Sequence, residues 1–71
     1  MTKLLIIVEE TETGFSAYSP DLLGCAATGR TREEVERAMK KAIDFHLDAL
    51  KNEGQAVPTP RTYATYVEVA A

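Results

Sequence analysis

One segment constrains this chain more than any other. Between Thr31 and Gly54, the residues Val35, Ala38, Met39, Ala42, Ile43, Leu47, Ala49 and Leu50 recur at helical spacing. Arg37, Lys40, Lys41, Asp44, Asp48 and Lys51 take the opposite side. A stripe this broad describes an amphipathic helix that must lay one face on another element. Its start is a capping box, Thr31-Arg32-Glu33-Glu34, with Thr31 accepting from an early helical N–H and Glu34 reaching back. Glu33 and Glu34 also suit the positive end of the helix dipole. Asn52 and Gly54 end the helix, glycine tolerating a left-handed terminus. Glu33–Arg37 and Glu36–Lys40 add i,i+4 pairs of favourable orientation.

The flanking segments read as strands. Lys3–Glu9 is continuously apolar and rich in Leu, Ile and Val, as in a strand lying centrally or covered on both faces. Glu10–Gly14 is polar and ends in glycine, so the chain turns back there. In Gly14–Ser19, Phe15 and Ala17 face one way and Ser16 and Tyr18 the other, the period of a half-buried strand. Ser19-Pro20-Asp21 is a second turn, and Gly24–Thr28 a third strand whose small residues let a crossing helix approach closely. After the helix, Gln55–Arg61 is a connector stiffened by Pro58 and Pro60. Thr62–Val69 alternates again, with Tyr63, Thr65, Val67 and Val69 on one face and Ala64, Tyr66 and Glu68 on the other. The expected fold is α+β, a two-layer β-β-β-α-β sandwich with one helix packed on an antiparallel-rich sheet. The last strand pairs with the first or takes a sheet edge.

At 71 residues the chain is one domain, 1–71, and buries only roughly 60% of the surface it exposes when unfolded. So small a core calls for a staple or a partner. Cys25, the only cysteine, cannot pair within the chain, which leaves self-association as homodimer or higher and suggests a reducing, cytoplasmic setting. Eight Lys+Arg against eleven Asp+Glu give a net charge of −3, unlike the basic excess of nucleic-acid-binding modules. Leu4–Val8 is too short for a signal-peptide core or a membrane span.

No constellation for covalent chemistry emerges. His46 lies in the apolar stripe with Ala42, Ala49 and Leu50 as same-face neighbours, so it reads as packed at the core margin or in a dimer contact. Cys25 has small apolar neighbours and no adjacent cation to stabilise a thiolate, so it reads as a packed thiol. A metal-dependent nuclease would need Glu9, Asp21 and Glu68 to converge, although each has a local reason to sit where it does. Neither G-x-x-x-x-G-K-[ST] nor G-x-G-x-x-G occurs, and no cofactor is expected. Charge is uneven, however. Glu9, Glu10, Glu12 and Asp21 have no Lys or Arg between them, whereas six of the eight basic residues fall between Arg30 and Lys51. Solvated turns explain this, and so does an acidic edge beside Tyr18 and Leu22 that receives a basic protein.

Longer motifs narrow the choice. Phe15-Ser16-Ala17-Tyr18-Ser19-Pro20-Asp21-Leu22-Leu23-Gly24-Cys25, then Gly29-Arg30-Thr31-Arg32-Glu33-Glu34, then Gly54…Pro58-Thr59-Pro60 resemble the HicB antitoxin family. The family pattern runs F-x-A-x-x-P-D-L-P-G-C, G-x-T-x-E-E, a helix, and G-x-x-x-P-x-P. Leu23 stands where that pattern has proline. The resemblance covers nearly the whole chain. It implies a partial, catalytically inert ribonuclease H-like fold that neutralises HicA, a small basic mRNA-cleaving toxin. Pro20, Asp21, Gly24, Gly29, Thr31, Glu34, Pro58 and Pro60 then act as fold determinants, and Glu9, Glu10, Tyr18, Asp21 and Leu22 are the expected partner-binding residues. Relatives often add a C-terminal DNA-binding segment. This sequence ends at Ala71, directly after the expected last strand, so no direct DNA binding is expected. The rival expectations are a self-associating regulatory or structural module without a toxin, and a minimal metal-dependent nuclease.

Overall fold

Two reversals shape the sheet. Thr11 N–H donates to the Gly14 carbonyl at 2.9 Å and turns the first apolar run back on itself. The second begins at Ser19, where Leu22 N–H donates to the Ser19 carbonyl at 3.2 Å and Cys25 N–H to that of Leu22 at 3.3 Å. In the computed structural model, which describes residues 2–71, these turns join β1 (Ile7–Glu10), β2 (Phe15–Tyr18) and β3 (Ala26–Gly29). The three form an antiparallel sheet in the order β1-β2-β3. The helix α1 (Arg32–Asn52) crosses it, chiefly over β3 and then β2.

Strand limits differ from the sequence expectation for identifiable reasons. Tyr18 is opposite Ile7, and beyond it the chain enters the Ser19-Pro20 turn, so Leu4, Leu5 and Ile6 run past the end of their partner. The buried Ser19 side chain takes over instead, its Oγ donating to the Leu5 carbonyl at 2.9 Å. The third strand starts two residues late because Gly24 and Cys25 belong to the preceding turn. Alternation in β2 is as read: Phe15 and Ala17 join the core while Ser16 and Tyr18 face away from it.

Both helix ends follow elementary capping physics. Thr31 is the N-cap, and its side chain accepts from Glu34 N–H at 3.0 Å. Glu34 reaches back one residue further than expected, to the Arg30 N–H at 3.3 Å. At the other end Gln55 N–H donates to the Leu50 carbonyl and Gly54 N–H to that of Lys51, with Gly54 at φ 74°, a complete Schellman motif. Neither anticipated ion pair is present among the described residues. The pair that forms is Lys40–Asp44 at 2.7 Å, exposed and worth only a few tenths of a kcal/mol by the usual ~0.3–0.5 for such pairs.

The core is small: Ala17, Leu22, Cys25, Val35 and Met39 are buried, with Leu4, Ile6, Val8, Phe15, Ile43, Leu47 and Leu50 packed around them. Its depth is set by Gly29. A Cβ there would lie 2.5 Å from the Val35 nitrogen and 2.8 Å from its Cα, so the helix backbone rests directly on β3. Gly14, just before β2, comes equally close to β3 within the sheet, where a Cβ would lie 2.4 Å from the Gly29 carbonyl oxygen.

The expected fourth strand does not form. Residues 55–71 carry no strand, and every side chain from residue 59 onward is exposed. Pro58 and Pro60 hold the connector extended, and Thr62 is tied to Asp21, so the tail leaves the body instead of pairing with either edge of its own sheet. Its projection accounts for a radius of gyration of 14.0 Å, against ~11 Å for a compact chain of this length.

Gly29→Ala tests the close approach. The helix must move off β3, and overpacking of this kind costs about 1–3 kcal/mol, read as a lowered urea midpoint. Gly24→Ala has open space around its Cβ but a φ of 79°, so it loses stability through the backbone alone.

Candidate protein-binding surface

The helix covers one face of the sheet and leaves the other open. Val8, Ala17 and Ala27 form a cross-strand row beneath α1, so the next rows, Ile7–Tyr18–Ala26 and Glu9–Ser16–Thr28, lie on the helix-free face. Tyr18 is exposed there, next to the half-buried Ile7.

The five sequence-derived contact residues are not all brought together. Glu9 and Tyr18 share the open face. Glu10 alternates to the other side, where it lines a cleft with Val8, Phe15, Arg32 and Glu36. Asp21 lies beyond the far end of β2 from the hairpin that carries Glu9, Glu10 and Glu12. The single acidic edge anticipated from the sequence is therefore two separate places. Leu22 leaves the surface altogether: it is 2% exposed, because the turn between Ser19 and Cys25 folds it under the sheet as part of the core.

Leu23 is the exposed leucine instead, at 93%. Its position follows from turn chemistry. Gly24 occupies the third place of the Leu22–Cys25 turn at positive φ, and among the described residues no non-glycine residue has positive φ. That combination is a type II turn, with Leu23 at the second place, pointing outward, where proline is favoured. The Leu-Gly dipeptide is the local signal for this turn.

Asp21 has a structural task. Its two carboxylate oxygens accept from the Thr62 hydroxyl at 2.9 Å and the Thr62 N–H at 3.3 Å, clamping the root of the C-terminal tail to the turn. Nothing in the local sequence announces a contact across 41 positions. Glu9, Asp21 and Glu68 do not converge: one is on β1, one is engaged at the turn, and one is on the exposed tail. Among the described residues no group of three or more His, Cys, Asp or Glu side chains is placed to hold a metal ion. His46 is half-buried on α1. Cys25 is 6% exposed, packed with Ala17, Leu22, Val35 and Met39, and burial pushes its thiol above the ordinary value of 9.0. The same desolvation that raises it disfavours the nucleophilic thiolate. None of the described helices is long and apolar enough to cross a membrane.

Comparison with known proteins places this architecture. Residues 4–70 match the family model described as HicB_like antitoxin of bacterial toxin-antitoxin system. The chain belongs to the HicB-like antitoxin family. A UPF0150 protein of Helicobacter pylori is 38% identical over 45 residues, which are 63% of this chain and 62% of that protein. A UPF0150 protein of Synechocystis is 33% identical over 54 residues, 76% of this chain and 68% of its own length. An uncharacterized 14.9 kDa protein of Haemophilus phage HP1 is 27% identical over 62 residues, and there the match spans 47% of the relative. The chain thus spans between about half and two thirds of these relatives. Among solved structures, a chain of the "HicA3 and HicB3 toxin-antitoxin complex" is similar with a TM-score of 0.66 and 32% identity, covering 83% of this chain and 72% of that one. This family member keeps the three antiparallel strands and the crossing helix of the HicB-like fold.

Two outcomes check the local chemistry. Leu23→Pro removes no packing and restricts the unfolded chain, so stability rises by about 0.4–1 kcal/mol in urea titration. For Cys25 the folded state holds the thiol proton more tightly than the unfolded chain does. Stability is therefore fully kept below 9.0 and declines as pH rises above it. Cys25→Ala loses that share of the decline, seen by comparing urea midpoints at about pH 8 and pH 10.

Proposed function

We propose that this chain is the antitoxin of a type II toxin–antitoxin system and neutralises a small basic HicA-type mRNA-cleaving toxin by covering it, in the cytoplasm and without catalysis of its own. The observation that carries this reading is the HicB-like match over residues 4–70, together with the likeness to a chain of a HicA3–HicB3 complex. Surface chemistry supports it. Glu9, Glu10 and Glu12 gather at the β1–β2 hairpin, and an anionic rim attracts a cationic RNA-binding surface and orients it during encounter. The adjoining open face offers Ile7 and Tyr18 as apolar contact, the pairing of aromatic anchor and charged rim that protein interfaces favour. Inhibition is steric: RNA and antitoxin compete for the same cations. The chain associates with itself as well, since its core of five buried apolar residues is slight for a domain. Direct DNA binding is not part of the proposal, because the net charge of −3 opposes it.

Co-expression with a small basic HicA-type protein, taken from the adjacent reading frame where one is encoded there, tests the reading. The expected result is restored growth, a co-purifying complex and protected RNA; a chain that neither binds nor protects is the stand-alone module instead. Glu9→Lys combined with Glu12→Lys weakens binding by about tenfold at low ionic strength and by less in high salt, the signature of a screened rim interaction. Titration calorimetry at two salt concentrations reads the difference.

A further inference from the structure

The molecule carries a strand without a sheet and a sheet edge without a strand. Residues 62–70 have the period-two pattern and the aromatic and β-branched side chains of a strand, yet Tyr63 is 83% exposed and Tyr66 99%. On the body, β1 is an edge, and the extended Leu4–Ile6 that precedes it has no partner on its outer side among the described residues. Helix α1 packs chiefly on β3 and then β2, which leaves β1 the least covered strand. A groove of ≈ 290 Å³ remains beside that edge, lined by Thr2, Leu4, Lys40, Ile43, Asp44 and Leu47. Its floor is apolar at Leu4, Ile43 and Leu47, which is the space a fourth strand beside β1 would roof with one face.

We propose that two copies exchange these tails, residues 62–70 of each pairing as a fourth strand with the β1 edge, residues 3–10, of the other. The inference rests on the self-association proposed above and specifies its surface. It does not depend on a toxin. Three features favour a second copy as the occupant. Donor and acceptor are on the same chain, so a two-fold axis satisfies both at once and closes the assembly without leaving a further free edge of this kind. The two segments match in length, nine residues against eight. The tail is also kept from its own body: Pro58 and Pro60 hold the connector extended, and the Asp21–Thr62 clamp sets its direction outward. In the exchanged pair Tyr63, Val67 and Val69 cover the groove over Leu4, Ile43 and Leu47, while Tyr66 comes beside the outer row of Leu5 and Ile7. Exposed strand edges invite this augmentation, and main-chain hydrogen bonds supply its register.

Sedimentation equilibrium of the full chain, with mixed-isotope NMR, tests the exchange. The expected mass is twice 7.8 kDa. In dimers of one labelled and one unlabelled chain, contacts run from Tyr63 and Val67 of one copy to Leu4 and Ile43 of the other. The double variant Tyr66→Pro/Val67→Pro removes at least one ladder donor, since successive N–H groups point to opposite sides, and it sediments as a monomer. A dimer that survives the double proline, or shows tail contacts only to β3, overturns the exchange and leaves self-association standing through another surface. A monomeric native chain overturns both. Contacts from the tail to β1 of its own copy, or none at all, also refute the exchange. Because the isotope test uses the native sequence, it decides the matter even where the double variant fails to fold.

Discussion

The absence of a side chain at Gly29 is the contact on which the remaining structure depends. Helix α1 can descend onto β3 until its backbone at Val35 touches the strand, and only that depth brings Val35 and Met39 to full burial over Ala17 and Cys25. A methyl group in that position would lift the N-terminal half of the helix and open the small core to water. Gly14 continues the same logic within the sheet, its own missing side chain accommodating the Gly29 carbonyl. The Thr31 cap and the Glu34 bond to the Arg30 N–H lie immediately beside this stack, so the contact and the helix start are a single feature. Strand, turn and helix meet within the span Gly29–Val35.

A one-sided sandwich of this size has consequences for function. With the helix on one face, the other face of the sheet and both of its edges are available to other molecules. Such an economy suits the binding role proposed above, because little of the surface is consumed by the core. The open face, with Ile7, Glu9 and Tyr18, meets the β1 edge along Ile7 and Glu9, while the apolar groove lies on the helix side of that edge. The Cys25 thiol is covered by the core, and the carboxylates at Glu9, Asp21 and Glu68 are dispersed over the molecule.

Much of this was legible locally. The helix, from the Thr31 cap to the Gly54 terminus, follows from nearest-neighbour hydrogen bonding and period, and the structure reproduces it nearly residue for residue. Alternation along Phe15–Tyr18 and the small residues before the helix were equally readable, since side-chain size and direction are properties of the strand itself. The inward place of Leu22 is not legible in this way, because two adjacent leucines are indistinguishable in composition. Which one turns inward depends on the type II turn, and so on the φ of Gly24. The acidic edge was misjudged for a related reason. Glu9 and Glu10 are neighbours in sequence, but pleating sends them to opposite faces, and Asp21 has Thr62 for a partner.

The amino-acid sequence by itself determined the elements: their order, the helix ends, the turns and the family pattern, all of which arise from interactions among residues close along the chain. Tertiary structure alone decided where the strand-like tail goes. Thr62–Val69 has every local property of a strand, yet a strand exists only against an edge, and no periodicity states which edge is within reach. Asp21, fastened to Thr62 across the length of the helix, and two prolines that refuse to bend supply that answer.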